Sequence, residues 1–161
     1  MGRVVVIVGS AVTTRNMAPV GDPEVEIWSL NDCYQFLPAE ACKLWFEMHE
    51  RDWFTGPNRP PGHLDWLRNP PMPVYMQQHH DDIPSSVPFP EDQSVADLRS
   101  RRYFTSTFSY MLALACHDLG QGDELHIFGV DLANDTEYAE QRPCAEYWFG
   151  RIEGRGTKVV T

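Results

Sequence analysis

The chain has 161 residues, of which 42% are hydrophobic, and 13 Lys and Arg against 23 Asp and Glu give a net charge of −10. This composition excludes an intrinsically disordered chain. The longest apolar runs are far shorter than the roughly 20 residues of a membrane span, and the opening has no signal-peptide pattern. We therefore expect a single soluble, cytoplasmic domain over residues 1–161, with no membrane association.

The acidic balance also limits the kind of partner. Proteins that hold duplex nucleic acid do so with clusters of Lys and Arg, and the one such cluster here is Arg99, Arg101 and Arg102. We expect no duplex nucleic acid as the main partner, although backbone N–H groups can still hold one nucleotide. The four cysteines lack any C-x-x-C spacing, which favours small buried thiols over a zinc site or a redox pair.

The first predicted element is a strand, Arg3–Gly9, in which five consecutive β-branched residues precede a glycine. Such a continuous run is typical of a strand buried on both faces at the centre of a parallel sheet. Further β-rich runs predict strands over 24–31, 43–49 and 73–77. Two short helices are expected between the last two of these strands, over 51–54 and 63–68.

Residues 55–98 differ from the rest of the chain, because nine of the 13 prolines fall between Pro57 and Pro90. This pattern predicts a proline-rich insertion of surface loops around one short strand, acting as a flap over a site. Regular elements are predicted again after this region: a helix over 105–120, a strand over 124–131, a helix over 138–151 and a strand over 158–160. Together, these strands and helices predict an α/β, Rossmann-like fold with a mostly parallel sheet of about six strands and helices on both faces.

Ligands of such sheets bind outside the carboxyl ends of the strands, so the residues that follow each strand are the candidates for a site. The predicted sheet brings polar groups from six segments to this edge: Gly9, Ser10, Asn31, Asp32, Glu47, His49, Gln77–His80, Asp131, Asn134, Asp135, and the helix start at Thr105 and Ser106. We therefore expect Asn31, Ser106 and Asp131 to line one pocket.

Each candidate for anion binding has a simpler structural interpretation. Gly9 and Ser10 either form a tight turn or let the backbone approach a phosphate, and Asn31 either caps a turn or faces the ligand. Thr105 and Ser106 either cap their helix or present its N–H groups to an anion. The dinucleotide fingerprint and the Walker A lysine are both absent. NAD, FAD and P-loop ATP hydrolysis are therefore disfavoured, and no cofactor is expected.

Three residues are candidates for catalysis. Glu47 and His49 alternate to the same face of one strand, so the carboxylate can orient the imidazole as a general base, although simple packing is the alternative. Asp131 ends a buried strand, where an acid needs a partner or caps the next segment. The run from His79 to Asp82 resembles a metal-ligand cluster, but neighbouring residues of an extended chain point in opposite directions, so no metal is expected.

Four segments carry a resemblance to known proteins, and they occur in order over most of the chain: 4–10, 29–34, 105–115 and 126–131. They resemble the sialyltransferase family that uses CMP-activated sialic acid with a single Rossmann-like domain, and the related pterin pyrophosphokinase-like proteins. The chain also looks like small Rossmann-type proteins of phages and prophages. The resemblance implies that Gly9, Ser10, Asn31, Thr105 and Ser106 grip a cytidine nucleotide.

The chain departs from that family at one catalytic position. The family's histidine after the Asp-ending strand has no counterpart, because no His follows His126. Two hypotheses follow from the resemblance. One is a nucleotide-dependent transferase of the glycosyl or pyrophosphoryl type, acting on a nucleotide or nucleotide-sugar. The other is a non-catalytic nucleotide-binding or sequestering protein, phage-encoded and homo-oligomeric.

Overall fold

The computed structural model describes residues 2–93, 100–133 and 137–161. Within these ranges the chain forms an α/β fold around one sheet of seven strands, all of them parallel. The strands lie in the order β5-β4-β3-β2-β1-β6-β7. Their bounds are β1 Val4–Val8, β2 Val25–Leu30, β3 Cys42–Glu47, β4 Val74–Met76, β5 Ser86–Pro88, β6 Glu124–Phe128 and β7 Lys158–Val160.

Four α-helices are described: α1 Arg51–Phe54, α2 His63–Arg68, α3 Thr107–Asp118 and α4 Arg142–Glu153. The predictions of α1 and α2 are confirmed. Helix α4 begins later than predicted, because the residues before it, Glu137–Gln141, form a wider π-helical turn. Pro143 then lies in the first turn of α4. None of the helices in the described ranges has both the length and the apolar character to cross a membrane.

Strand β1 is the centre of the sheet, as its apolar run predicts. Val5 and Ile7 pack against the face covered by α3 and α4, whereas Val6 and Val8 pack against the opposite face. All four side chains are buried. Because other parts of the protein cover both faces of β1, neither face carries polar side chains. The sequence of the strand is therefore a continuous β-branched run.

The order of the strands changes direction at β1. From β1 the chain moves outward through β2, β3 and β4 to β5, and it then returns along α3 to β6 on the other side of β1. Because such crossovers are right-handed, the two directions place their connections on opposite faces of the sheet. Ligands of open α/β sheets bind at the carboxyl edge of the sheet, beside such a change of direction.

The proline-rich region forms part of the sheet. It contains β4, which was predicted, and β5, which was not. Val74, Met76 and Ile83 are fully buried there. Strand β5 tolerates Pro88 because it lies at the edge of the sheet, and its three residues are too few for a recognisable alternation. Residues 94–98 of the predicted flap, together with Arg99, Asn134 and Asp135, lie outside the described residues.

The four cysteines are buried thiols without disulfide partners. Burial raises the pKa of both Cys33 and Cys42 to about 12. A thiol with so high a pKa carries almost no thiolate at neutral pH and is a poor nucleophile. Cys33 and Cys42 are therefore poor candidates for a nucleophile.

Candidate functional site

A cavity of about 450 Å³ opens at the carboxyl edge of the sheet, at the point where the strand order reverses. Loops after β1, β2, β3 and β6 meet there with the start of α3. Asn31, Ser106 and Asp131 all line this cavity, so the prediction that these three share one pocket is confirmed. The other predicted site residues on its wall are Gly9, Ser10, His49 and Thr105. Glu47 is fully buried behind His49.

Two glycines, Gly9 and Gly129, line the cavity. The N–H of Gly9 donates to the carbonyl of Phe128, and the N–H of Ala11 donates to the carbonyl of Gly129, both at 2.8 Å. A Cβ on Gly9 would lie 2.4 Å from the carbonyl oxygen of Gly129, and one on Gly129 would lie 2.4 Å from that of Gly9. Gly129 also has a φ of 68°. These glycines therefore allow the β1 and β6 loops to touch.

This contact revises the expected role of Gly9. The sequence suggested that its missing side chain makes room for a phosphate and that its N–H binds one. In the structure the missing side chain makes room for Gly129, and the N–H is already bonded to Phe128. The sequence signal for Gly129 is its position directly after β6, but a single glycine there does not reveal which backbone it touches.

Replacing Gly9 with Ala is therefore expected to destabilise the fold. The added methyl group meets backbone rather than a flexible side chain, so the two loops must separate at a cost of about 1 to 3 kcal/mol. Gly120→Ala is the matched control, because a Cβ there meets no atom within 4 Å. Urea unfolding of both variants measures the difference. Equal stabilities would show that the β1 and β6 loops separate freely.

The start of α3 is organised by Ser109. Its Oγ accepts hydrogen bonds from the N–H groups of Thr105 at 3.1 Å and Ser106 at 3.3 Å, and donates to the Ser106 carbonyl at 2.6 Å. These two N–H groups, which the sequence suggested as phosphate ligands, are thus already bonded. The next two residues, Thr107 and Phe108, line the cavity as the first residues of the helix. Helix geometry gives their N–H groups no acceptor within the helix.

Asn31 has a left-handed backbone with a φ of 49°, which Asn tolerates better than most residues. Its N–H donates to the Phe46 carbonyl at 2.8 Å, and its own carbonyl accepts from the indole of Trp45 at 2.9 Å. Its side-chain oxygen accepts a hydrogen bond of 3.3 Å from the hydroxyl of Thr107. The side chain of Asn31 thereby joins the end of β2 to the start of α3 at the cavity wall.

Glu47 and His49 form the pair that their alternation along β3 predicts. The Nδ1 atom of His49 lies 2.5 Å from Oε1 of Glu47. The carboxylate is fully buried, whereas the side chain of His49 is 32% exposed and lines the cavity. The ring of Trp53 lies parallel to the imidazole, with ring centres 5.8 Å apart. His49 is therefore a histidine with a buried carboxylate on one side and the cavity on the other.

Two further residues hold Glu47, and the sequence did not suggest either. His63 Nε2 lies 3.0 Å from Oε2 of Glu47, and Nη2 of Arg59 lies 3.4 Å from Oε1. Arg59 also lies 3.8 Å from Asp32. Burial by itself would raise the pKa of Glu47, but the hydrogen bonds from His49 and His63 and the charge of Arg59 lower that pKa to about 2.

The ionised state of Glu47 favours one placement of the proton of His49. Nδ1 of His49 lies near Glu47 and also 2.7 Å from Nη2 of Arg59, and it can make only one hydrogen bond. Arg59 has only N–H donors, whereas an ionised carboxylate only accepts. Donation from Nδ1 to Glu47 satisfies the buried charge, so we assign the proton to Nδ1. Nε2 then carries the lone pair that can accept a proton.

Two carboxylates also line the cavity. Oδ1 of Asp131 accepts a hydrogen bond of 2.5 Å from the hydroxyl of Thr13, which supplies the partner expected for this acid. Glu137 also lines the cavity. No Lys or Arg occurs among the described residues of the wall. The cavity therefore combines backbone donors at α3, one imidazole and two carboxylates.

The run from His79 to Asp82 has a structural role in the described part of the chain. Asp82 accepts two hydrogen bonds from Arg51, at 2.8 and 2.7 Å, and one from Arg68 at 3.2 Å. These bonds join α1 and α2 to the loop before β5. Within residues 2–93, 100–133 and 137–161, no three His, Cys, Asp or Glu side chains are grouped closely enough to hold a metal ion.

Comparison of the chain with protein-family models, curated proteins and solved structures finds no match to any of the three. The function must consequently be inferred from the geometry of the cavity and from the chemistry of the residues that line it.

Proposed function

We propose that this protein is a nucleotide-dependent transferase that binds a pyrimidine nucleotide-sugar in the cavity at the carboxyl edge of the sheet. The observation that carries the proposal is the position of His49. This histidine is backed by the ionised, buried Glu47 and opens into the same cavity as the start of α3. One cavity thus holds a candidate base and a set of backbone donors for a phosphate.

The start of α3 is the proposed phosphate site. A helix N-terminus attracts anions through its free N–H groups and its dipole, and neither requires Lys or Arg. Thr107 and Phe108 supply these groups in a helix of 12 residues. Ser10 of the β1 loop lines the same cavity. A chain with a charge of −10 can bind a nucleotide in this way.

The two carboxylates are the proposed contacts for hydroxyl groups. Asp131 and Glu137 would repel a phosphate, so a nucleotide-sugar is expected to lie with its phosphates toward α3 and its ribose or sugar hydroxyls toward these acids. Carboxylate oxygens are strong acceptors for such hydroxyls. The acids therefore orient the ligand rather than neutralise it.

His49 is the proposed general base. Its Nε2 would remove the proton from an acceptor hydroxyl, whose oxygen then forms a bond to the sugar carbon as the bond from that carbon to the nucleotide phosphate breaks. Glu47 stabilises the imidazolium that results, and the N–H groups of α3 stabilise the charge that develops on the leaving phosphate.

A thermal-melting scan with millimolar CMP, CDP, UMP, AMP and NAD tests nucleotide binding. Binding to the folded state alone adds about 2.7 kcal/mol at a hundredfold excess over Kd, which corresponds to a shift on the order of 5 to 10 °C. CMP and CDP are expected to give the largest shifts. A flat response to all five, with no nucleotide already bound, contradicts the proposal.

Asn31→Gly is the matched variant for this scan. Glycine accepts the left-handed backbone, and the backbone hydrogen bonds to Phe46 and Trp45 remain, so the stability without ligand should fall only by the loss of the side-chain hydrogen bond from Thr107, about 1 kcal/mol. Loss of the side-chain amide should weaken nucleotide binding by about 3- to 10-fold. An unchanged shift would remove Asn31 from the site.

A further inference from the structure

A chain of hydrogen bonds leads from His49 away from the cavity into the protein. Beyond Glu47 it reaches His63, whose side chain is 2% exposed. Nδ1 of His63 lies 3.1 Å from the hydroxyl of Tyr34. Tyr34 in turn stacks on Trp66, with ring centres 4.4 Å apart and planes 12° from parallel. His63 does not line the cavity and takes no direct part in the proposed transfer reaction.

The hydrogen bonds of this chain have one consistent direction. Since the ionised Glu47 can only accept, Nε2 of His63 must donate to it. In a neutral imidazole the other nitrogen, Nδ1, then accepts, and the hydroxyl of Tyr34 donates to it. Every donor therefore points toward Glu47, both from Tyr34 through His63 and from His49 on the other side.

The two oxygens of Glu47 have separate partners. Oε2 is bonded to His63, whereas Oε1 faces Nδ1 of His49, the backbone N–H of His49 at 3.3 Å, and Arg59. A carboxylate held at Oε2 cannot rotate about its terminal bond without losing a buried hydrogen bond. His63 thereby holds Oε1 in the position that receives the Nδ1 proton of His49.

We propose that His63 is a positioning residue that fixes the tautomer of His49 through Glu47. With His63 in place, the proton of His49 stays on Nδ1 and the lone pair of Nε2 faces the cavity. Without His63 the carboxylate loses the partner of Oε2, turns, and ceases to specify which nitrogen of His49 is protonated. This proposal rests on the proposed function, and it explains why Nε2 of His49 is free to accept a proton.

Long-range ¹H–¹⁵N spectra of ¹⁵N-histidine-labelled protein at pH 8 measure directly which ring nitrogen of His49 carries the proton. His49→Ala identifies the signals of His49. We expect Nδ1–H in the wild type and a mixture, or mainly Nε2–H, in His63→Leu. His63→Gln should restore Nδ1–H, because its amide nitrogen can donate to Oε2 from nearly the same place as Nε2.

Tyr34→Phe is the matched control, because it removes one hydrogen bond of the same chain but leaves that between His63 and Glu47. It should keep the Nδ1–H form of His49. The proposal is overturned if the wild type shows Nε2–H, or if His63→Leu keeps Nδ1–H. If His63→Leu does not fold, an Nε2–H form in His63→Gln overturns it.

The spectra do not require any activity, so they separate this proposal from the proposed function. If the protein releases CMP from CMP-sialic acid, His63→Leu should also lower kcat by about 10- to 100-fold with little change in KM, and His63→Gln should recover most of it. Absence of turnover in the wild type would count against the transferase and leave the tautomer result standing.

Discussion

Glu47→Gln is expected to lower the free energy of unfolding at pH 7 by about 3 to 5 kcal/mol, the usual cost of removing one partner from a buried ionic network. The amide cannot accept from all of its donors, and the charge of Arg59, whose side chain is 10% exposed, loses its nearest counterion. Urea unfolding monitored by tryptophan fluorescence measures the effect. We expect a larger loss of stability in Glu47→Gln than in Gly9→Ala.

The same variant should show a distinct dependence on pH. The pKa of Glu47 falls from its usual 4.5 to about 2 on folding, so its contribution is complete above pH 4.5 and is lost as the pH drops toward 2. A shift of that size corresponds to about 3 kcal/mol. The part of the stability difference between wild type and Glu47→Gln that comes from the ionised carboxylate should therefore shrink as the pH falls from about 5 to 3.

Glu26→Gln is the control for this prediction. Glu26 pairs with Arg3 and Lys43 at the surface, where both cations are largely solvated. Such pairs contribute about 0 to 1 kcal/mol. A loss in Glu47→Gln no larger than that in Glu26→Gln would mean that the buried carboxylate is not stabilised by its histidine and arginine partners.

The sequence predicted the parts of the fold that depend on local patterns. The five β-branched residues of β1 specify a strand with two buried faces, and the glycine after it marks the carboxyl edge where the cavity lies. The alternation of Glu47 and His49 likewise predicts that their side chains lie together, and they do so at the carboxyl end of β3. These inferences needed only the period of a strand and the rule that parallel strands end at one edge.

The contacts between distant segments could not be predicted from the sequence. His63 and Arg59 reach Glu47 from a region whose prolines indicate loops, and no spacing along the chain links them to β3. The same is true of Gly129, whose partner is 120 positions earlier in the chain at Gly9. Strand β5 was not predicted, because three residues at the edge of a sheet are too few to show an alternation of apolar and polar side chains.

If the protein is the transferase proposed above, His49→Ala is expected to lower the rate of CMP release from CMP-sialic acid by about 10² to 10⁴-fold, the usual cost of losing a general base. The imidazole is the one side chain on the described cavity wall that has a buried carboxylate behind it. Nucleotide binding should survive, because the N–H groups of α3 do not depend on His49. The CMP-induced shift in melting temperature should therefore stay close to that of the wild type.

His117→Ala is the matched control for this rate measurement, because His117 lies near the carboxyl end of α3, opposite to the end that lines the cavity. It should leave both the rate and the CMP shift unchanged. Near-normal turnover in His49→Ala would remove this residue as the base.

A wild type that binds CMP and yet releases none from CMP-sialic acid, with or without a saccharide acceptor, would favour the non-catalytic nucleotide-binding protein. In that case His49 and Glu47 form a buried ionic network that serves the fold, and the expected loss of stability in Glu47→Gln should persist.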